Sequence, residues 1–243
     1  MTVLTSIDVD GTMIDSIPEV LKRSREAWQV VDGTEFPMGE ENFRRYRWSV
    51  SEAKHYFQNA IALQQHKNLP NDYASLDLLR KGYDVPRHVD AFYASRKSAQ
   101  EKGEEAWLEE HVMFEGVSNM LWALHSGGIT NTVITSKDES STKRLLAHFD
   151  LARYVDRVYG KEYGNRTQQF QRLKQDFKEP SVSSVYVYDD LPENLEEAQK
   201  HGFKVFLASQ GYAKEEDKSR FFALKPKEFS RVVLDGISVG SLV

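Results

Sequence analysis

The chain contains no cysteine among its 243 residues, which excludes disulfides, thiol catalysis and thiolate metal sites. It lacks a basic surplus as well. With a net charge of -5, it has no overall electrostatic footprint for nucleic acid or an anionic membrane. No run approaches the ~18 apolar residues of a membrane span. The opening "MTVLTSIDVDGT" has no basic region, and its apolar stretch is too short for a signal peptide. The expectation is a cytoplasmic protein with no nucleic-acid or membrane partner, in which the glycosylation pattern "NRT" (165–167) carries no meaning.

Other absences narrow the chemistry. There is no G-x-G-x-x-G or phosphate-binding P-loop, so nucleotide chemistry by those routes is unsupported. The seven histidines (55, 66, 88, 111, 125, 148 and 201) show no H-E-x-x-H or similar spacing and read as ordinary polar positions. "GISVG" (236–240) fits a nucleophile elbow around Ser238, but only three residues follow it. A following helix and a later histidine therefore have no room, and the motif is rejected.

What the chain does have is 40% hydrophobic and 28% charged residues, an ordinary globular composition with length enough for a core and a second, smaller unit. Three apolar runs each lead into a polar turn and a helical pattern: "TVLTSI" (2–7), "NTVI" (131–134) and "SSVYVY" (183–188). "FKVFLAS" (203–209) reads as a further strand. Strands alternating with helices predict a Rossmann-like parallel sheet with flanking helices. Ligands of such sheets sit beyond the carboxyl ends of the strands.

Residues 16–112 differ in texture. Helical periodicity dominates, punctuated by prolines 18, 37, 70 and 86 and by Gly39 and Gly82. This predicts an α-helical insert at 16–112, with a core formed by 1–15 and 113–243 that resumes at a helix closed by Gly127–Gly128. "RRYRW" (44–48) inside the insert reads as a solvated helix face. The sharper alternative has Arg44, Arg45 or Arg47 meeting an anion.

Three clusters fall at the carboxyl ends of the strands. In "IDVDGT", Asp8 and Asp10 are two apart and project to the same side of an extended backbone. Like charges this close are unfavourable unless a cation or a reaction uses them. Magnesium favours a few carboxylates with water and phosphate, and an ionised aspartate can be a phosphoryl nucleophile. The bland alternative is a solvated Asp-Gly turn. In "VITSKDES", Thr135 follows a strand and precedes a helix, where amides and a hydroxyl would face an anion. Its neighbours Ser136 and Glu139 form a capping-box pattern. In "VYVYDDLPEN", Asp189 and Asp190 close a strand. Asp190 with Glu193 could cap the next helix, but a cap needs only one acid.

This ordered set, Asp8-Val-Asp10-Gly11-Thr12, then Thr135, then Asp189-Asp190 with Asn194, resembles the haloacid dehalogenase superfamily of phosphatases, and "VSNMLWALHSGGITNTVITSKDESSTKRLLAHFDLARYVDRVYG" (117–160) is similar to the stretch that its phosphoglycolate-phosphatase-like branch carries around the second motif. The resemblance implies that Asp8 attacks phosphorus and forms an aspartyl-phosphate. It implies that Asp10 serves as proton donor and then as base, while its backbone carbonyl holds Mg²⁺. Thr135 would bind the transferring group, and Asp190 and Asp189 would complete the Mg²⁺ site. Phosphoryl transfer depends mainly on positioning and charge neutralisation, so these roles are coherent. Asp15 and Ser16 match the family's hinge, and the helical insert takes the place of its cap domain, which closes over substrate.

The chain departs from the pattern at two points. The family's basic residue, usually a lysine before proline, has no such counterpart in "GKEYGNRTQQFQRL". Lys161 and Arg166 both qualify, and the spacing from Arg166 to Phe170 and Leu173 suits a helix starting there. Asn194 replaces the family's second acid. The implied function is Mg²⁺-dependent hydrolysis of a small phosphorylated metabolite. The alternatives are a phosphomutase using the same aspartyl-phosphate and a non-catalytic binding protein on this fold.

Overall fold

Eight strands organise the computed structural model, which describes residues 2–178 and 182–240: β1 (Thr2–Ile7), β2 (Ile14–Asp15), β3 (Val112–Met113), β4 (Thr130–Ile134), β5 (Arg157–Tyr159), β6 (Val182–Asp189), β7 (Lys204–Ala208) and β8 (Ala223–Leu224). Six of them form one parallel sheet in the order β5-β4-β1-β6-β7-β8. The remaining pair, β2 and β3, makes a short antiparallel ribbon. The parallel sheet with crossover helices is the fold class expected from the alternation of runs.

Strand β1 sits in the middle because it can be buried on both faces, which is why its sequence lacks a clean polar alternation. Thr5 is satisfied within the sheet: its Oγ1 donates to Asn131 Oδ1 at 2.8 Å, and its carbonyl accepts from Thr132 Oγ1 at 2.7 Å. In β6 the side chains divide between the faces. Val185 and Val187 pack with Leu4, Phe170, Leu173, Leu195 and Leu207, whereas Tyr188 stacks on Phe229 of the helix Pro226–Gly240 at 4.4 Å. The "GISVG" segment lies in that final helix.

The chain divides into two compact units, Met1–Asp15 with Val112–Val243, and Ser16–His111. Val112 goes with the sheet unit rather than with the insert because it pairs with Asp15 in the ribbon. Among the described residues, no helix is long and apolar enough to cross a membrane.

The helical unit is built around rings and buried charge. Trp28, Phe36, Phe43, Phe57 and Phe92 are buried together. The buried Glu19 accepts from Arg96 Nε and Nη2 at 2.9 and 2.6 Å. The "RRYRW" expectation needs correction here. Arg44 and Arg45 are exposed, but Arg47 is buried and donates to the Val50 carbonyl at 2.8 Å, so the segment is not a uniformly solvated face.

His55 yields a stability test. Its Nδ1 accepts from the Ser51 amide at 3.3 Å, and burial, reinforced by Arg80, lowers its pKa from 6.5 to about 4. The folded state therefore prefers the neutral ring. Its contribution is full above pH 6.5 and is lost as pH falls towards 4. Between those limits the wild-type chain should lose about 1–2 kcal/mol more stability than His55→Gln, allowing for solvent that reaches the ring. Denaturant unfolding of both chains at several pH values measures this, and parallel pH profiles would contradict it.

Candidate active site

The carboxyl ends of β4, β1 and β6 lie side by side, so residues more than a hundred positions apart in sequence leave the sheet together. The Asp8 amide extends the ladder by donating to the Tyr188 carbonyl at 3.0 Å, and the Thr135 amide does the same to Tyr159 at 3.1 Å. Asp8, Asp189 and Asp190 are all buried, and one oxygen from each lies within 4.8 Å of the others. Hard carboxylate oxygens grouped this closely are the donor set that magnesium takes.

Asp190 occupies a slot that admits little else. A Cβ on Gly11, whose φ of +88° already favours glycine, would collide with the Asp190 carboxylate. A Cβ on Gly211 would collide with Asp190 Cβ and the Gly11 carbonyl. The Tyr212 amide donates to Asp190 Oδ2 at 3.0 Å, while the Tyr212 hydroxyl donates to Asp15 Oδ1 at 2.7 Å. Asp189 is held from the other side. Its carboxylate accepts from the Leu191 amide at 2.9 Å and from Asn194 Nδ2 at 3.1 and 3.0 Å. Asn194 thus orients an acid instead of adding a charge.

Arg166 is the base brought to Asp8. It opens the helix Arg166–Asp176, whose N-cap Asn165 makes a reciprocal capping box with Gln168. Its Nη2 lies 3.1 Å from Asp8 Oδ1 and 3.3 Å from Asp189 Oδ2, and its Nη1 donates to the Ile134 carbonyl at 2.5 Å. The rigid planar fork holds these three acceptors in a fixed arrangement. Lys161 is exposed at the start of a short turn, with its amide donating to the Lys137 carbonyl at 3.0 Å.

The electrostatics follow from this crowding. Burial, then the charge of Asp189, pushes the Asp8 carboxyl well above the usual carboxylate range against the pull of Arg166. Burial opposes the charge on Arg166, but Asp189 and Asp8 outweigh it and hold the guanidinium more firmly protonated than usual. A divalent ion between the three acids would offset their mutual repulsion. These residues fit magnesium.

Asp10 lies apart from that grouping. Its Oδ2 is 3.4 Å from Nζ of Lys137, a residue the motif reading passed over. Thr135 is buried, and its Oγ1 accepts from the Lys137 amide at 3.2 Å. That turn displaces the predicted cap: the helix Glu139–His148 is capped by Asp138, which accepts from the Ser141 amide, not by Ser136. The helix Pro192–Lys200 likewise starts after Leu191 with no side-chain cap, so Asp190 is not spent on capping. Lys137 could have been noticed only as the third residue of Thr-Ser-Lys, and Tyr212 had no local signal.

Comparison with known proteins agrees with this geometry. The family described as haloacid dehalogenase-like hydrolase matches residues 7–167. A phosphoglycolate phosphatase from Vibrio parahaemolyticus is 27% identical over 158 residues, which cover 65% of this chain. The chain spans about 60% of that curated relative's length. Among solved structures, a haloacid dehalogenase-like family hydrolase from Streptococcus pneumoniae superposes with a TM-score of 0.66 at 16% identity, covering 93% of this chain and 96% of the other. A "predicted phosphoglycolate phosphatase" from Haemophilus somnus gives 0.69 at 15% identity, with coverages of 94% and 96%. At these identities the structural matches speak to the fold.

Proposed function

The chain belongs to the haloacid dehalogenase-like hydrolase family, and on that premise we propose that it is a magnesium-dependent phosphatase of small phosphate monoesters working through an aspartyl-phosphate. The observation that carries the reading is the convergence of Arg166 and two further acids on the buried Asp8. Phosphoglycolate is the first natural ester to test, because the curated relative bears that name.

In this mechanism an Asp8 carboxylate oxygen attacks phosphorus and the ester P–O bond breaks. Asp10 gives a proton to the departing oxygen. It then takes a proton from the water that attacks the aspartyl-phosphate, releasing inorganic phosphate and restoring Asp8. Arg166 and the Thr135 hydroxyl bind non-bridging phosphoryl oxygens. Asp8, Asp189 and Asp190, with the Asp10 backbone carbonyl implied by the family, would hold magnesium. When bound there, the ion supplies positive charge against the phosphoryl oxygens.

The direct test incubates the purified chain with p-nitrophenyl phosphate, phosphoglycolate and a panel of other small phosphate monoesters. Release of inorganic phosphate in the presence of magnesium is expected. A well-folded chain that releases none from any ester would contradict the proposal in favour of a binding role. Isomerisation of a sugar phosphate primed by its bisphosphate would replace it with a mutase.

A further inference from the structure

We propose that Lys137 is a positioning residue for the proton-transfer step, its amino group holding one oxygen of the Asp10 carboxyl group so that the other faces the departing ester oxygen. The inference rests on the phosphatase reading and assigns a role that the motifs do not contain.

Lys137 is firmly placed. Its backbone is pinned at both ends, the amide donating to Thr135 Oγ1 at 3.2 Å and the carbonyl accepting from Lys161 at 3.0 Å. The turn before it is tied down too. Gln169, itself buried, donates through Nε2 to the carbonyls of Thr135 and Gly160 at 2.8 and 2.9 Å. The Lys137 side chain is only 5% exposed. A lysine with that burial has lost most of its rotamer freedom, so its Nζ marks a fixed point 3.4 Å from Asp10 Oδ2.

Asp10 needs such a point. It follows the end of β1, outside the Asp8, Asp189 and Asp190 grouping, and its side chain is 19% exposed. Proton transfer demands an oxygen within hydrogen-bond reach of the departing atom, and small misplacements there are costly. The charge count points the same way. Asp8, Asp10, Asp189 and Asp190 bring four negative charges, and Arg166 is committed to Asp8 and Asp189. Lys137 is the cation given to the fourth acid.

The test compares Lys137→Gln and Lys137→Arg with the wild-type full chain on two esters. Nitrophenolate leaves without a proton, whereas an alkoxide requires one, so kcat/KM on p-nitrophenyl phosphate and on the best alkyl phosphate of the panel separates proton delivery from binding. For Lys137→Gln, the alkyl-to-aryl ratio should fall at least about tenfold, mostly through kcat, because general acid catalysis is worth about 10²–10⁴-fold. Lys137→Arg keeps the charge and should restore most of the ratio. Equal losses on both esters, or a loss confined to KM, would overturn the inference while leaving the phosphatase reading intact. A wild type that hydrolyses neither ester overturns both. If the Gln variant does not fold, a lowered ratio in Lys137→Arg also counts against the inference.

Discussion

Replacing Asp8 by asparagine is expected to reduce phosphate release at least about 10³-fold for every ester, the scale on which loss of a covalent nucleophile is felt. An amide oxygen keeps the size of the side chain and can still accept from Arg166 Nη2, which lies 3.1 Å from Asp8 Oδ1. It cannot form the acyl phosphate. Stability should move the other way. Burial and Asp189 already oppose the Asp8 charge, so a neutral side chain removes repulsion from the metal-free site. Asp8→Asn should therefore melt at or above the wild-type temperature without magnesium. Steady-state assays beside thermal melts check both halves. A variant that is inactive because it is unfolded would undercut the argument, and one retaining a tenth of the activity would remove Asp8 as nucleophile.

The second large effect concerns the cation. Chelation by EDTA should abolish turnover and readdition of magnesium should restore it, since four acids with two bases leave the site unable to accept a phosphate dianion. Asp190→Asn is the sharper variant. The amide matches the slot between Gly11 and Gly211 and its oxygen can keep the bond from the Tyr212 amide, but it removes one charge from the donor set. Magnesium affinity should fall at least about tenfold to a hundredfold. Ligand linkage makes this visible without catalysis: at a hundred times its dissociation constant, magnesium should stabilise the wild type by about 2.7 kcal/mol, and Asp190→Asn far less. Equal magnesium-induced shifts in melting temperature would exclude Asp190 as a ligand.

How far the sequence forecast the molecule depends on the length of each signal. Runs such as "TVLTSI" and "SSVYVY" are long enough to declare buried strands, and both form at the centre of the parallel sheet. The edge strands Arg157–Tyr159 and Ala223–Leu224 span three and two residues, too short for any periodicity to register. The acids were visible because paired charges at strand ends are conspicuous. Their supports were not. Tyr212 reaches Asp190 and Asp15 only through the fold, from positions 22 and 197 residues away. The capping pattern at Ser136 misled for a local reason: the Lys137 amide bonds Thr135 Oγ1, so the chain is still turning where the helix was expected, and Asp138 becomes the cap. Arg166 was legible through its spacing to Phe170 and Leu173, which are buried in the sheet core.

The proposed divalent cation would sit among acids from two neighbouring strands, and its location can be measured directly. Crystals of the wild-type chain soaked with Mn²⁺ in place of magnesium should give an anomalous peak within coordination distance of carboxylate oxygens of both Asp8 and Asp190. A peak that touches neither residue, or no peak at a manganese concentration that supports turnover, would contradict this placement.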